Sequence, residues 1–96
     1  MNISSPFSLV YTTAFGRDIK LLVGRNQIIY RQLLQMLDAL RGDPYNTGKK
    51  YNIKKLTGIS PGEGQWRIRV GKYRLRYDIL DQNVVLFSFS HRKDSY

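Results

Sequence analysis

The spacing of apolar residues changes period along the chain, and the changes divide it into elements. Residues 7–11, Phe-Ser-Leu-Val-Tyr, alternate well enough for a first strand, and the Thr12-Thr13 pair after them can cap a helix. From Phe15 the apolar positions take helical spacing, Phe15, Ile19 and Leu22, until Gly24 stops the run. A stronger helix is predicted from an Asn26 cap. It carries Ile29, Leu33, Met36, Leu37 and Leu40 on one stripe and Arg31, Gln32, Gln35 and Asp38 opposite, and it ends at Gly42 and Pro44. Such a stripe is a core face and calls for no cofactor.

Beyond the turn chemistry of residues 45–48 the pattern becomes extended. Residues 50–56 place Tyr51 and Ile53 on one side and Lys50, Asn52 and Lys54 on the other, and residues 57–64, with three glycines and a proline, form a loop. Strands are then predicted over 65–70, 73–80 and 84–90, with turns at Gly71-Lys72 and 81–83. The expected fold is α+β: an N-terminal strand, a helical hairpin, then a four-stranded antiparallel sheet packed on the helices, in one domain spanning residues 1–96.

Composition narrows the chemistry. The 96 residues hold no cysteine and one histidine, so a disulfide scaffold, thiol catalysis and cysteine-ligated zinc are excluded, and neither a metal site nor a cofactor is expected. No apolar run approaches the roughly 18 residues of a membrane span, and residues 1–6 lack the features of a signal peptide, so a cytoplasmic protein without a membrane partner is expected. The net charge is +9, from 16 Lys+Arg against 7 Asp+Glu, and most of the excess lies in the second half. A polyanion partner is the leading expectation, and on composition alone nucleic acid, an anionic membrane surface and an acidic protein all fit. Two glycine patterns are decoys. In the Gly42 to Lys50 stretch five residues separate the glycines where a P-loop has four, and Lys50 replaces the magnesium-binding hydroxyl. The glycines at 58, 62 and 64 do not open a helix, as a dinucleotide site requires.

Strand pairing gives the basic residues a place. A two-residue Gly71-Lys72 connection with glycine first suits a type II′ hairpin and fixes the register. Val70 then faces Tyr73, Ile68 faces Leu75 and Trp66 faces Tyr77 on one surface. On the other, Arg69 faces Arg74 and Arg67 faces Arg76. Opposed like charges cost roughly 0.2–1 kcal/mol per pair, so folding alone would not select them, and this face is expected to await an array of anions. If the 81–83 turn is odd or the strand bulges, Val85, Phe87 and Phe89 join the core side, while Ser88, Ser90 and Arg92 extend the basic side. His91, the residue that titrates near neutrality, then ends the strand beside five arginines.

The run Lys54-Lys55-Leu56-Thr57-Gly58, the strand pair Trp66-Arg67-Ile68-Arg69-Val70-Gly71-Lys72-Tyr73-Arg74-Leu75-Arg76-Tyr77 and the ending His91-Arg92-Lys93-Asp94-Ser95-Tyr96 resemble the RelE/ParE superfamily of toxin–antitoxin modules over nearly the whole chain. The resemblance implies one of two activities, since RelE-like members cleave messenger RNA in the ribosomal A site and ParE-like members inhibit DNA gyrase. The basic, histidine- and tyrosine-containing tail points to the nuclease branch. By resemblance the catalytic surface would comprise Arg67, Arg69, Arg74, His91, Arg92 and Tyr96, with Lys54, Lys55, Arg76 and Lys93 as further RNA contacts. Some relatives carry lysines at the positions of Arg67 and Arg69, and arginine, unlike lysine, cannot serve as a proton acceptor. The expected reaction is metal-free attack of a ribose 2′-OH on the adjacent phosphorus, with arginines neutralising charge, His91 as base or acid, and Tyr96 as stacking platform or second proton-transfer group. Expected partners are mRNA in the ribosomal A site, the ribosome, and an acidic antitoxin with which the chain would bind operator DNA. The competing classes are a gyrase inhibitor and a non-catalytic nucleic-acid or antitoxin-binding protein.

Overall fold

Thr12 ends one element and begins the next. Its hydroxyl accepts from the backbone N–H of Phe15 at 3.1 Å, capping the first helix, and donates to the carbonyl of Leu86 at 2.7 Å, tying that cap to the far end of the chain. The computed structural model describes residues 6–94. Within them run β1 (Ser8–Tyr11), α1 (Thr13–Leu22), α2 (Gln27–Gly42), β2 (Ile53–Lys55), β3 (Trp66–Val70), β4 (Tyr73–Leu80), β5 (Asn83–His91) and a single 3-10 turn, Arg92–Asp94. The Asn26 side chain caps α2 through the N–H groups of Ile28 and Ile29.

The class is α+β, but the sheet has five strands in the order β1-β5-β4-β3-β2, and it is mixed. β1 lies parallel to β5, Leu9 beside Val84 and Tyr11 beside Leu86, instead of standing apart from an antiparallel sheet of four. The helical hairpin is the crossover that a parallel pair requires. β1 ends at Tyr11 while β5 runs on to His91. Where the edge of β5 is thereby uncovered, the Asp18 carboxylate of α1 takes the Phe89 N–H at 2.9 Å. β2 is shorter than the extended run predicted for residues 50–56. The Asn46 side chain brackets Tyr51, accepting from its N–H at 3.1 Å and donating to its carbonyl at 2.9 Å, and so holds the backbone there in a turn.

One face of the sheet packs on both helices. Ile68, Leu75, Tyr77, Val84, Leu86 and Phe89 meet Phe15, Leu33, Met36, Leu37 and Leu40 in a single core. Tyr77 is fully buried and donates its hydroxyl to the Pro44 carbonyl at 2.7 Å, and burial pushes that hydroxyl well above the usual tyrosine range. The turn before α2's partner strands is organised by Asp43, which accepts from the Thr47 N–H and hydroxyl and from the Gly48 N–H.

The β3–β4 register is the one the two-residue hairpin predicts, pair for pair, and Gly71 sits at φ +60 as a type II′ first position demands. The β4–β5 register departs from expectation in one respect. The turn is even, Leu80 facing Asn83, and the extra residue is Phe87, which bulges between the Tyr77–Leu86 and Arg76–Ser88 pairs. Before the bulge the alternation is therefore inverted. Val84 and Leu86 take the core side, whereas Val85 and Phe87, expected inside, belong to the outward face. After it Phe89 is buried and Ser88 and Ser90 face outward, as predicted.

Candidate nucleic-acid interface

The outward face is built from register. Lys54 pairs with Arg67, Arg67 with Arg76, and Arg76 with Ser88, making one cross-sheet row; Arg69, Arg74 and Ser90 make the next. Lys54, Arg67, Arg74, Arg76 and Ser90 form the floor of an open groove of about 420 Å³, walled by Leu56, Thr57 and Ile59 from the β2–β3 loop. Arg67 donates to Asn52 Oδ1 at 3.1 Å. Arg69 shares the face through its pairing with Arg74 but lines a separate cavity, with Lys50 and Asn52, at the outer edge of β3.

Asp78 lies on this same face, two residues beyond Arg76, and is 92% buried in the sense that only 8% of it is exposed. Its carboxylate is consumed by the backbone: Gly62, Gly64 and Gln65 donate to it at 3.1, 2.9 and 3.0 Å. Arg76 completes the clamp. Its Nε donates to the Gly64 carbonyl at 3.0 Å and its Nη2 to the Glu63 carbonyl at 2.6 Å, while its guanidinium rests 5.5 Å over the Phe87 ring. The loop is thus folded over the sheet and stands beside the arginines. Sequence reasoning missed this clamp. Its signal was a lone acid inside an arginine-rich strand, which needs donors, opposite a loop with three glycines.

Other predicted residues are placed elsewhere. Lys55 pairs with Trp66 on the helix side of the sheet, its ammonium 5.7 Å from the indole ring, so it stands on the opposite face from Lys54. His91 pairs with Tyr73, also on the helix side, and its ring lies edge-to-face against Tyr73 with centroids 5.2 Å apart. Its Nδ1 accepts the Lys93 N–H at 3.1 Å, which leaves Nε2 as the hydrogen-bearing nitrogen of the neutral ring. The imidazole is therefore at the arginine-bearing end of the sheet but across it from Arg74 and Ser90. Arg92 and Lys93 are exposed in the 3-10 turn, where the Arg92 N–H is fixed to the Lys72 carbonyl. Tyr96 lies outside the described residues. Among the described residues no three His, Cys, Asp or Glu side chains gather as metal ligands, and no helix is long and apolar enough to cross a membrane.

This surface can bind phosphates and neutralise charge that develops on them. The sequence profile of the family described as the ParE toxin of the type II toxin–antitoxin system, parDE, matches residues 9–96. The chain belongs to the ParE toxin family. No curated protein matches the sequence. Among solved structures the fold resembles those of toxin–antitoxin complexes. The RelBE2 complex of Mycobacterium tuberculosis is similar at 26% identity and a TM-score of 0.68, over 91% of this chain and 99% of that one. The archaeal RelE–RelB complex of Pyrococcus horikoshii has 20% identity and the same TM-score, over 94% and 99%. The DinJ–YafQ complex of E. coli reaches a TM-score of 0.72 at 15% identity, over 95% and 98%. This ParE-family toxin is therefore a type II toxin–antitoxin toxin of the RelE/ParE fold, with a sequence profile of one branch and structural likeness to members of the other.

Proposed function

We propose that this toxin acts as a ribosome-dependent endoribonuclease, gripping the phosphates of mRNA in the A site on its arginine face. The observation that carries the reading is the row of opposed guanidiniums on an outward, grooved surface, an arrangement that costs stability and that suits a phosphate chain. Attack of a ribose 2′-OH on the neighbouring phosphorus builds negative charge on the phosphate oxygens. Arg67 and Arg74 on the groove floor would stabilise that charge, and Arg69 and Arg92 would hold flanking phosphates. Arginine does not exchange its proton, so the floor residues contribute electrostatics and positioning only. Proton transfer falls to His91 at the end of β5, to Tyr96, or to the ribosome, which also supplies alignment that so small a groove lacks. An acidic antitoxin covering the basic face would hold the toxin silent, and the pair would bind operator DNA.

Cleavage mapping by primer extension on translated message tests this. The wild-type chain should cut in the presence of ribosomes, and Arg74→Ala should abolish cutting while the circular dichroism spectrum is retained; full activity in that variant would refute the assignment. His91→Gln separates the proton step, because a cleavage rate that falls while RNA binding is retained assigns that step to the imidazole. The match to the ParE profile favours a second reading, inhibition of DNA gyrase. Loss of supercoiling activity on adding the toxin, with translated mRNA intact, would establish it instead.

A further inference from the structure

The groove has a feature that phosphate binding does not need. Its floor is cationic, but the wall beside the floor is presented by Leu56 and Ile59, both half-buried, with the exposed Thr57 between them. A bare anion gains nothing from aliphatic surface, which only removes water from its surroundings. A nucleotide unit presents a phosphate and, next to it, a flat base with an apolar face. The volume of about 420 Å³ falls in the range of small-ligand sites.

The wall is also preformed. Beyond the three bonds to Asp78 and the two from Arg76, the Leu56 N–H donates to the Gln65 carbonyl at 2.7 Å and Gln65 Nε2 donates to the Ile59 carbonyl at 2.8 Å. Gly64 is buried at φ +74, and a Cβ there would come within 2.9 Å of the Phe87 ring and 3.0 Å of Arg76 Cβ, so the loop lies as close to the sheet as a glycine allows. The ordering cost of a binding loop has thus been met in folding. Arg76, on this geometry, is a positioning residue that acts through the loop.

We propose that the 56–65 loop is a nucleobase-binding wall: Leu56 and Ile59 cover the face of a base whose phosphate lies on Arg67 and Arg74, so that the groove selects a nucleotide unit of single-stranded RNA over a simple anion. This rests on the arginine face being the phosphate-binding surface. The test is an NMR titration of the full chain with inorganic phosphate, ribose 5-phosphate and adenosine 3′-monophosphate. The nucleotide should bind about tenfold more tightly than the other two, in line with typical single-base contacts. Ile59→Ser should close that gap to within about twofold while leaving phosphate affinity as it was, and Leu56→Ser should do the same; the spectrum itself reports whether each variant is folded. Arg74→Ala should weaken all three ligands. A wild-type chain that binds nucleotide no better than phosphate, or a preference that survives both serine variants, overturns the wall and leaves the arginine surface standing. Failure of the wild-type chain to bind any of the three overturns the reading of the surface itself.

Discussion

Replacing Asp78 with alanine removes the acceptor for three backbone N–H groups at once. The three do not count equally. Gly64 is buried, so its orphaned N–H loses a bond without gaining water and costs about 1–3 kcal/mol. Gln65 is half-buried and Gly62 exposed, and water can replace most of what they lose. Removal of a buried carboxylate returns part of the loss, since its desolvation is no longer required. A net destabilisation of roughly 1–3 kcal/mol follows, within what a domain of ordinary stability survives. Urea denaturation of the wild-type and Asp78→Ala chains measures it, and amide hydrogen exchange locates it. Protection at Gly64 and Gln65 should collapse toward that of a solvated loop while β4 and β5 keep theirs. A stability change under about 0.5 kcal/mol, with loop protection unaltered, would show that the carboxylate does not hold the loop and would remove the basis for treating it as a fixed wall.

Gly64→Ala should cost at least about 2 kcal/mol in thermal or urea unfolding, from the left-handed backbone and the approach to Phe87. Arg69→Gln should leave stability unchanged or raise it by roughly 0.2–1 kcal/mol, because it relieves the opposition to Arg74. Arg76→Gln should lower it by about 1–3 kcal/mol, since two charge-assisted bonds to loop carbonyls go with it. The Asp43 carboxyl is held below the usual carboxylate value, chiefly by the Gly48 N–H and then by Thr47. Its depressed value makes a contribution to stability that is fully present above pH 4 or so and is lost as pH falls through the lower folded value, so Asp43→Asn should flatten the acid limb of a stability–pH curve.

Much of the fold was written locally. The Asn26 cap, the α2 stripe and the Gly71-Lys72 hairpin are short-range signals, and each acts where it was expected because nothing distant competes with it. What escaped depends on residues far apart in sequence. β1 joins β5 across more than seventy residues, and no pattern within Ser8–Tyr11 names its partner. The bulge at Phe87 changes which face Val85 and Phe87 occupy, and alternation alone cannot place a single inserted residue. For the site the same division holds. Arg67, Arg69, Arg74 and Arg76 were put on one face by a two-residue turn, while Lys55 and His91 fell on the other because period-two alternation carries a residue across the sheet whatever its chemistry.

The four arginines, alike in sequence, are divided by the loop. Arg76 is engaged with two carbonyls and the Phe87 ring, so its charge serves the protein's own architecture and its repulsion of Arg67 is partly absorbed there. Arg74 faces Arg69 in a row that ends at Ser90. If the face had been shaped for stability alone, the second row would be the one to change, since a neutral residue at Arg69 would relieve the opposition at no structural cost. That the chain instead keeps guanidiniums where they oppose each other, and commits the buried Asp78 carboxylate to fixing a loop beside them, accords with a surface that receives a polyanion: a rigid wall, a cationic floor, and stability drawn from the opposite, apolar face of the same strands.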